Sequence, residues 1–284
     1  MKIGNFEVHS VPTGLFHLDG GAVFGIVPRS IWSKKYHAPD EKNLIELAAA
    51  PLLVKTGNRN ILIDTGNGDK WNEKQQALFG INCVASNAEN YLKPFNLKAE
   101  DITDVILTHL HFDHAGGATR IDAGQIVPTF PNAKYYTQAE QLHSANNPND
   151  KEKASYMREN WQCLEDNGML VKLDGEQELL PGLKLLPVYG HTNAMQIVRI
   201  QSQGESLLFC GDLVPTSGHI QANYYMGYDN YPLTVIEEKK RILGQALEEK
   251  TKLYFQHDAY RPFAELGYSN GKFCVEDIMN NLDR

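Results

Sequence analysis

The chain has 284 residues, 42% of them hydrophobic, and a formal net charge of -8. That apolar content supports a sizeable buried core and excludes wholesale disorder. The acidic balance excludes a nucleic-acid backbone as the main partner, because phosphate binding needs clustered Lys and Arg.

Residues 1–8 run straight into a strand pattern, without the long apolar stretch of a secretory leader. No run of about 18 apolar residues occurs, so no membrane span is expected. Cys83, Cys163, Cys210 and Cys274 lie far apart with no CxxC pair. That spacing fits neither a disulfide framework nor a thiolate zinc site, and a cytoplasmic location is the expectation. No repeat, low-complexity tract or linker marks a boundary, so residues 1–284 read as one domain.

The first third reads as strands and loops. Residues 51–56 and 61–64 form a predicted hairpin whose turn, Gly57-Asn58-Arg59-Asn60, carries residues that tolerate turn angles. A helix is predicted over 85–95 and a short buried strand over 104–108. Further helices are predicted over 138–145 and 151–166, and strands over 183–188, 196–200 and 207–210. A helix is predicted over 236–249 with Thr234 as a candidate cap, and 252–255 as a final core strand. Strands interleaved with helices along the chain predict layered sheets covered by helices.

The decisive segment is Thr108-His109-Leu110-His111-Phe112-Asp113-His114-Ala115-Gly116-Gly117, of the form HxHxDH. On extended backbone His109, His111 and Asp113 share a face. His114 breaks the alternation and needs a turn beginning at Asp113, which Gly116-Gly117 permit along with close backbone approach. Imidazole and carboxylate ligands suit zinc, manganese, iron or cobalt. Four candidate ligands within six residues point to two metals sharing one loop. His191, Asp212 and His257 each follow an apolar run, where strand ends in layered α/β folds open onto one edge.

In these motifs the chain resembles the metallo-β-lactamase-fold hydrolases. The resemblance rests on Ile63-Asp64-Thr65-Gly66, the HxHxDH segment, Gly190-His191-Thr192, Gly211-Asp212 and the late His257, in the family's order. It implies a four-layer αββα sandwich with the site at one edge of the two sheets. It also implies His109, His111 and His191 as ligands of one ion, Asp113, His114 and His257 as ligands of a second, and Asp212 as the bridge. Asp64 matches an aspartate that orients a ligand from behind. Gly20–Pro28, Gly211–Thr216 and Met226–Leu233 are similar to the branch that holds quorum-quenching lactonases and methyl parathion hydrolase. The implied activity is hydrolysis of a lactone, aryl ester or phosphotriester by a hydroxide bridging two ions, with Asp113 passing a proton to the leaving group. Two ions carry about +4 and Asp113, Asp212 and the hydroxide about -3, so a site near +1 favours a developing oxyanion.

One departure stands out. Compact lactonases carry a tyrosine three residues after the bridging aspartate; here the position is Pro215. Tyr224, Tyr225 or Tyr228 are candidates to replace it, against ordinary packing. His219 is open between pocket and surface, and His9, His17, His37 and His143 are read as non-ligands. Phe24, Trp32 and the run 224–231 are divided between pocket entrance, core and dimer contacts without assignment. The rival readings are a glyoxalase II-like thioester hydrolase and a non-catalytic metal-binding scaffold. A small-molecule substrate is the expected partner, and a homodimer is compatible with the branch.

Overall fold

The computed structural model describes residues 1–277. Two seven-stranded sheets carry the fold. The first has the order Lys2–Ile3, Phe6–Ser10, Leu52–Thr56, Arg59–Ile63, Asp104–Ile106, Lys134–Gln138, Leu170–Leu173. The second runs Gln177–Leu180, Leu183–Val188, Met195–Ser202, Glu205–Phe209, Lys252–Tyr254, Phe263–Ser269, Lys272–Glu276 in chain order.

The period of two along each strand explains the stacking. Leu52, Val54, Ile61, Ile63 and Ile106 of the first sheet meet Leu185, Val198, Ile200, Leu207 and Phe209 of the second in one buried cluster. The alternate residues Leu53, Leu62 and Val105 face outward, onto Leu92, Leu142, Trp161 and Leu164. On the far side, Val188, Ile197, Leu208 and Leu253 pack against Val235, Ile242, Leu243 and Ala246 of the helix Pro232–Glu248. Strands buried on both faces read as nearly continuous apolar runs, which is how 52–54, 61–63 and 207–209 look in the sequence. The architecture is therefore an αββα sandwich.

The hairpin forms with a tighter turn than expected: strand pairing continues through Thr56↔Arg59, leaving Gly57 and Asn58 as the loop. Gly57 takes φ +56°, the left-handed conformation such a turn requires. The strand at 104 ends at Ile106, and the helix expected over 85–95 is a turn over Ala88–Leu92 followed by a 3-10 turn. The helix expected over 138–145 forms as Ala139–Asn146.

Four expectations need correction. Only Gln162–Asp166 of the stretch 151–166 is α-helical, after a 3-10 turn at Arg158–Asn160. Residues 151–157 instead lie against the site, where Lys151, Glu152 and Tyr156 find long-range partners. The long helix begins at Pro232, whose fixed φ and missing N–H suit a first helical position, so Thr234 lies inside it and caps nothing. The strand at Lys252–Tyr254 is followed by a further antiparallel pair. Short helices at Gly20–Phe24, Arg29–Trp32 and Glu73–Phe79 interrupt the first third. No helix among the described residues is long and apolar enough to cross a membrane.

Candidate metal centre

Strand register brings the candidate ligands to one edge. Ile63 pairs with Ile106 in parallel, as Phe209 does with Tyr254, so Asp64, His109, Asp212 and His257 leave the sheets at the same end. The turn between Val188 and Met195 lies at that end too and carries His191. The two sheets are joined there: Gln196 donates its backbone N–H to the Thr108 carbonyl at 2.9 Å and its Nε2 to the Leu107 carbonyl at 2.8 Å.

His114 swings round on a single helical turn, Phe112–Ala115, which begins one residue before the expected position. The backbone N–H and the hydroxyl of Thr65 both donate to the His114 carbonyl at 2.8 Å. The glycines that follow allow the chain to close in. A Cβ on Gly116 would stand 2.1 Å from the Asn67 carbonyl oxygen, and one on Gly117 2.4 Å from that of Thr65.

The ring nitrogens then converge. His111 Nδ1 lies 3.0 Å from His109 Nε2 and 3.2 Å from His191 Nε2. His114 Nε2 lies 3.1 Å from His257 Nε2, with Asp113 Oδ2 at 3.8 and 3.6 Å from these two. Asp212 stands between the groups: Oδ2 is 3.3 Å from His191 Nε2, while Oδ1 is 3.4 Å from His114 Nε2 and 3.1 Å from His257 Nε2. All seven residues are buried, and the side chain of Asp113, which borders the cavity, is the most exposed of them. Nitrogen ligands about 2.0–2.1 Å from a tetrahedral ion lie roughly 3.3–3.4 Å apart, so the short imidazole separations fit two ions seated among these atoms.

The opposite ring nitrogens are held from behind. Asp64, at φ +59°, accepts from the Thr108 backbone N–H and hydroxyl and from His114 Nδ1 at 2.9 Å. Asp229 Oδ1 accepts from His191 Nδ1 at 2.8 Å, the Ala48 carbonyl from His257 Nδ1 at 2.8 Å, and the Thr108 hydroxyl contacts His109 Nδ1 at 3.1 Å. Glu238 acts one step further out, accepting from the backbone N–H groups of Tyr189 and Gly190 and so fixing the turn ahead of His191.

Charge follows the same division. Burial holds His109 well below the ordinary imidazole range, and neighbouring imidazoles add to it. Burial also lowers His111. Burial opposes charge on His114, His191 and His257, but the Asp212 carboxylate and the aspartates beside it outweigh that and raise all three. Asp212 is likewise kept ionised against burial by His114, His257 and His191. The donor set is thus built for positive charge around Asp212.

A cavity of about 280 Å³ opens beside Asp113, Asp212 and His257. Phe16, Leu18, Val23, Leu47, Phe79 and Met226 give it an apolar wall. Of the aromatic run 224–231, Tyr228 lines the cavity, whereas Tyr224 and Tyr225 pack against separate apolar clusters. Phe24 and Trp32 are core residues stacked on each other at 5.1 Å. His219 is also core: it stacks on Phe24 at 4.2 Å and contacts the Thr216 hydroxyl and the Val23 carbonyl. Burial lowers its pKa to about 3. His9, His17, His37 and His143 lie outside the ligand groups.

Asp229, Glu152 and Glu238 escaped the sequence reading. Asp229 lay in a phrase noted only for its branch, and Glu152 within a predicted helix. Nothing local links either to a histidine dozens of residues away.

Residues 46–257 match the family described as Metallo-beta-lactamase superfamily. Over 258 residues the chain is 24% identical to an N-acyl homoserine lactonase of Bacillus cereus, covering 89% of this chain and 93% of that one. The crystal structure of a probable metal-dependent hydrolase from Staphylococcus aureus superposes with a TM-score of 0.88 at 33% identity, covering 97% of this chain and 99% of that one. AidC, a dizinc quorum-quenching lactonase in complex with a product, superposes with a TM-score of 0.78 at 22% identity, covering 98% and 96%. The αββα layers, the ligand cluster at their shared edge and this match over most of the chain agree: the protein is a metallo-hydrolase that belongs to the metallo-beta-lactamase superfamily.

Proposed function

We propose that the chain, as one hydrolase domain, cleaves an ester-type bond in a small uncharged molecule, with lactones ranked ahead of aryl esters and phosphotriesters. The observation that carries this reading is Asp212, whose two carboxylate oxygens face different histidine groups at the floor of a half-apolar cavity. His109, His111 and His191 would hold one divalent ion and Asp113, His114 and His257 the other, with Asp212 placed to serve either. Two ions there, zinc being our first choice, would supply an activated water and a Lewis acid for the substrate's C=O or P=O group.

The protein's own groups do the rest. Asp212 and the imidazoles keep the nucleophile's site fixed, so little reorganisation is needed during reaction. Asp113 turns Oδ2 towards His114 and His257, which leaves Oδ1 to carry a proton to the leaving oxygen. The apolar wall takes the hydrocarbon part of the substrate and excludes water from around the reacting carbonyl.

The glyoxalase II-like reading is disfavoured by the cavity's charge. Among its described lining residues Lys151 is the one Lys or Arg, and its ammonium donates to the carbonyls of Tyr228 and Asp229. It is therefore not free to receive the carboxylates of a glutathione thioester, while Asp113 and Glu152 repel them. A non-catalytic scaffold would not need such a cavity beside its ligands. The test is a panel of lactones, aryl esters, phosphotriesters and S-lactoylglutathione with metal-replete protein, ranked by kcat/KM. Lactones should lead; preference for the thioester overturns the ranking, and no turnover on any member favours the scaffold.

A further inference from the structure

His111 differs from the other clustered histidines in what stands behind it. Its Nδ1 faces His109 and His191, so Nε2 points away from the cluster. That nitrogen is buried without a hydrogen-bond partner, and the carboxylate that faces it is Glu152, with Oε1 3.5 Å away. Glu152 is itself only 5% exposed. A buried carboxylate needs partners, and this one has them: Asn149 Nδ2 donates to Oε2 at 2.8 Å, and the Tyr156 hydroxyl to Oε1 at 3.3 Å. Its loop is pinned on both sides. Tyr156 forms an isolated β-bridge with His111, and Lys151 Nζ donates to the backbone carbonyls of Tyr228 and Asp229.

We propose that Glu152 is a positioning residue that fixes the tautomer of His111. This rests on the metallo-hydrolase reading above. A neutral imidazole carries one N–H, and the ligating nitrogen must be the other one. With Glu152 in place the hydrogen sits on Nε2, facing the carboxylate, and the Nδ1 lone pair faces His109 and His191. Without it, the hydrogen on Nε2 has no acceptor in a buried site, and the tautomer with hydrogen on Nδ1 blocks the ligating position. Coordination through Nδ1 polarises the Nε2–H and strengthens its contact with the carboxylate. The loop 149–156 extends the effect. Through Lys151 it ties the support of His111 to the segment that bears Asp229, the support of His191. Two ligands of the same ion group are thus braced by one loop.

A carboxylate in the cavity wall could instead act on substrate. That role would change KM and leave ion binding as it is.

The experiment compares wild type with Glu152→Gln and Glu152→Ala, each loaded with zinc. Zinc per chain and its rate of loss to a chromogenic chelator are measured, with far-UV circular dichroism of the metal-free proteins as the fold control. Wild type should hold two ions. One of the two should bind about 10–100-fold more weakly in Glu152→Ala and less so in Glu152→Gln, whose amide oxygen can still accept. Nitrogen-15 spectra of zinc-loaded wild type should show His111 protonated at Nε2. The assignment is overturned if both variants keep zinc within about twofold of wild type, or if the His111 hydrogen is found on Nδ1. If Glu152→Ala does not fold, the isosteric Glu152→Gln and the wild-type tautomer decide the matter. Wild type holding less than one ion would instead sink the metal reading itself.

Discussion

Asp229 Oδ1 sits 2.8 Å from His191 Nδ1 and turns Nε2 of that ring towards Asp212 Oδ2, 3.3 Å away. The second oxygen of Asp229 accepts from the backbone N–H of Met226, so one carboxylate orients a ligand and closes the turn beside the cavity. In Asp229→Ala the ring loses its acceptor and the turn its tie. Affinity for one ion should drop by about 10–100-fold, and stability by roughly 1–3 kcal/mol. Metal titration and urea unfolding measure the two effects. Unchanged metal affinity in a folded variant would show that His191 needs no support from Asp229.

Asp212 contacts both histidine groups, so its removal is expected to differ from removal of any single imidazole. Asp212→Ala should lose one ion per chain and most turnover, and should remove the attraction that raises the pKa of His114, His191 and His257 in the metal-free protein. Metal analysis and activity on the best substrate of the panel provide the check. Full activity with two ions bound contradicts the bridging role.

These residues also show what the sequence can carry. His109, His111, Asp113 and His114 were legible because six consecutive positions hold four candidate ligands behind an apolar strand. His191, Asp212 and His257 were legible because each follows an apolar run, and strand ends share an edge. Layered sheets covered by helices were legible in the alternation of strand and helix patterns, and the αββα order came from the resemblance to the metallo-β-lactamase-fold hydrolases. Glu152 was illegible for the opposite reason. Helix propensity over 151–166 is a local quantity, whereas 151–157 is held by long-range partners: His111 for Glu152, Asp229 for Lys151 and Thr192 for Tyr156. His219 shows a further limit. Its closeness in sequence to Asp212 left the pocket open as a location, but stacking on Phe24 takes the ring into the core.

Lys239 offers a test by pH. Its ammonium is buried in the long helix and donates to the carbonyls of His219 at 2.8 Å and Tyr224 at 2.6 Å. Burial lowers its pKa from 10.5 to about 8, and the attraction of Asp229 only partly offsets this. Between pH 8 and 10.5 the unfolded chain therefore keeps a proton that the folded chain has released. Stability contributed by this group rises with pH across that window, by up to about 1.4 kcal/mol per unit, and its burial penalty is greatest below it. Urea unfolding of wild type and Lys239→Met from pH 7.5 to about 9.5 isolates the effect, because other titrations are common to both. The difference should move in favour of wild type as pH rises; a constant or falling difference rules out the depressed pKa.

Gly116 tests how closely the ligand loop must approach the preceding sheet. Its Cα faces the Asn67 carbonyl, with no room for a methyl group: an added Cβ would lie 2.1 Å from that oxygen and 3.0 Å from the Gly66 oxygen. Both neighbours are backbone, so no flexible side chain can swing aside. In Gly116→Ala the turn bearing Asp113 and His114 must shift away from Asn67. His114 is held at both ends, by Asp64 on Nδ1 and by Thr65 on its carbonyl, so the shift strains those contacts too. The expected cost is about 1–3 kcal/mol of stability, the usual range for overpacking a closely fitted site. The ion group formed by Asp113, His114 and His257 should weaken more than the group of His109, His111 and His191, because Gly116 follows His114 by two residues. Chelator competition resolved into two phases, with unfolding as a parallel measurement, reads both. Equal weakening of the two groups would mean that the loop moves as one body.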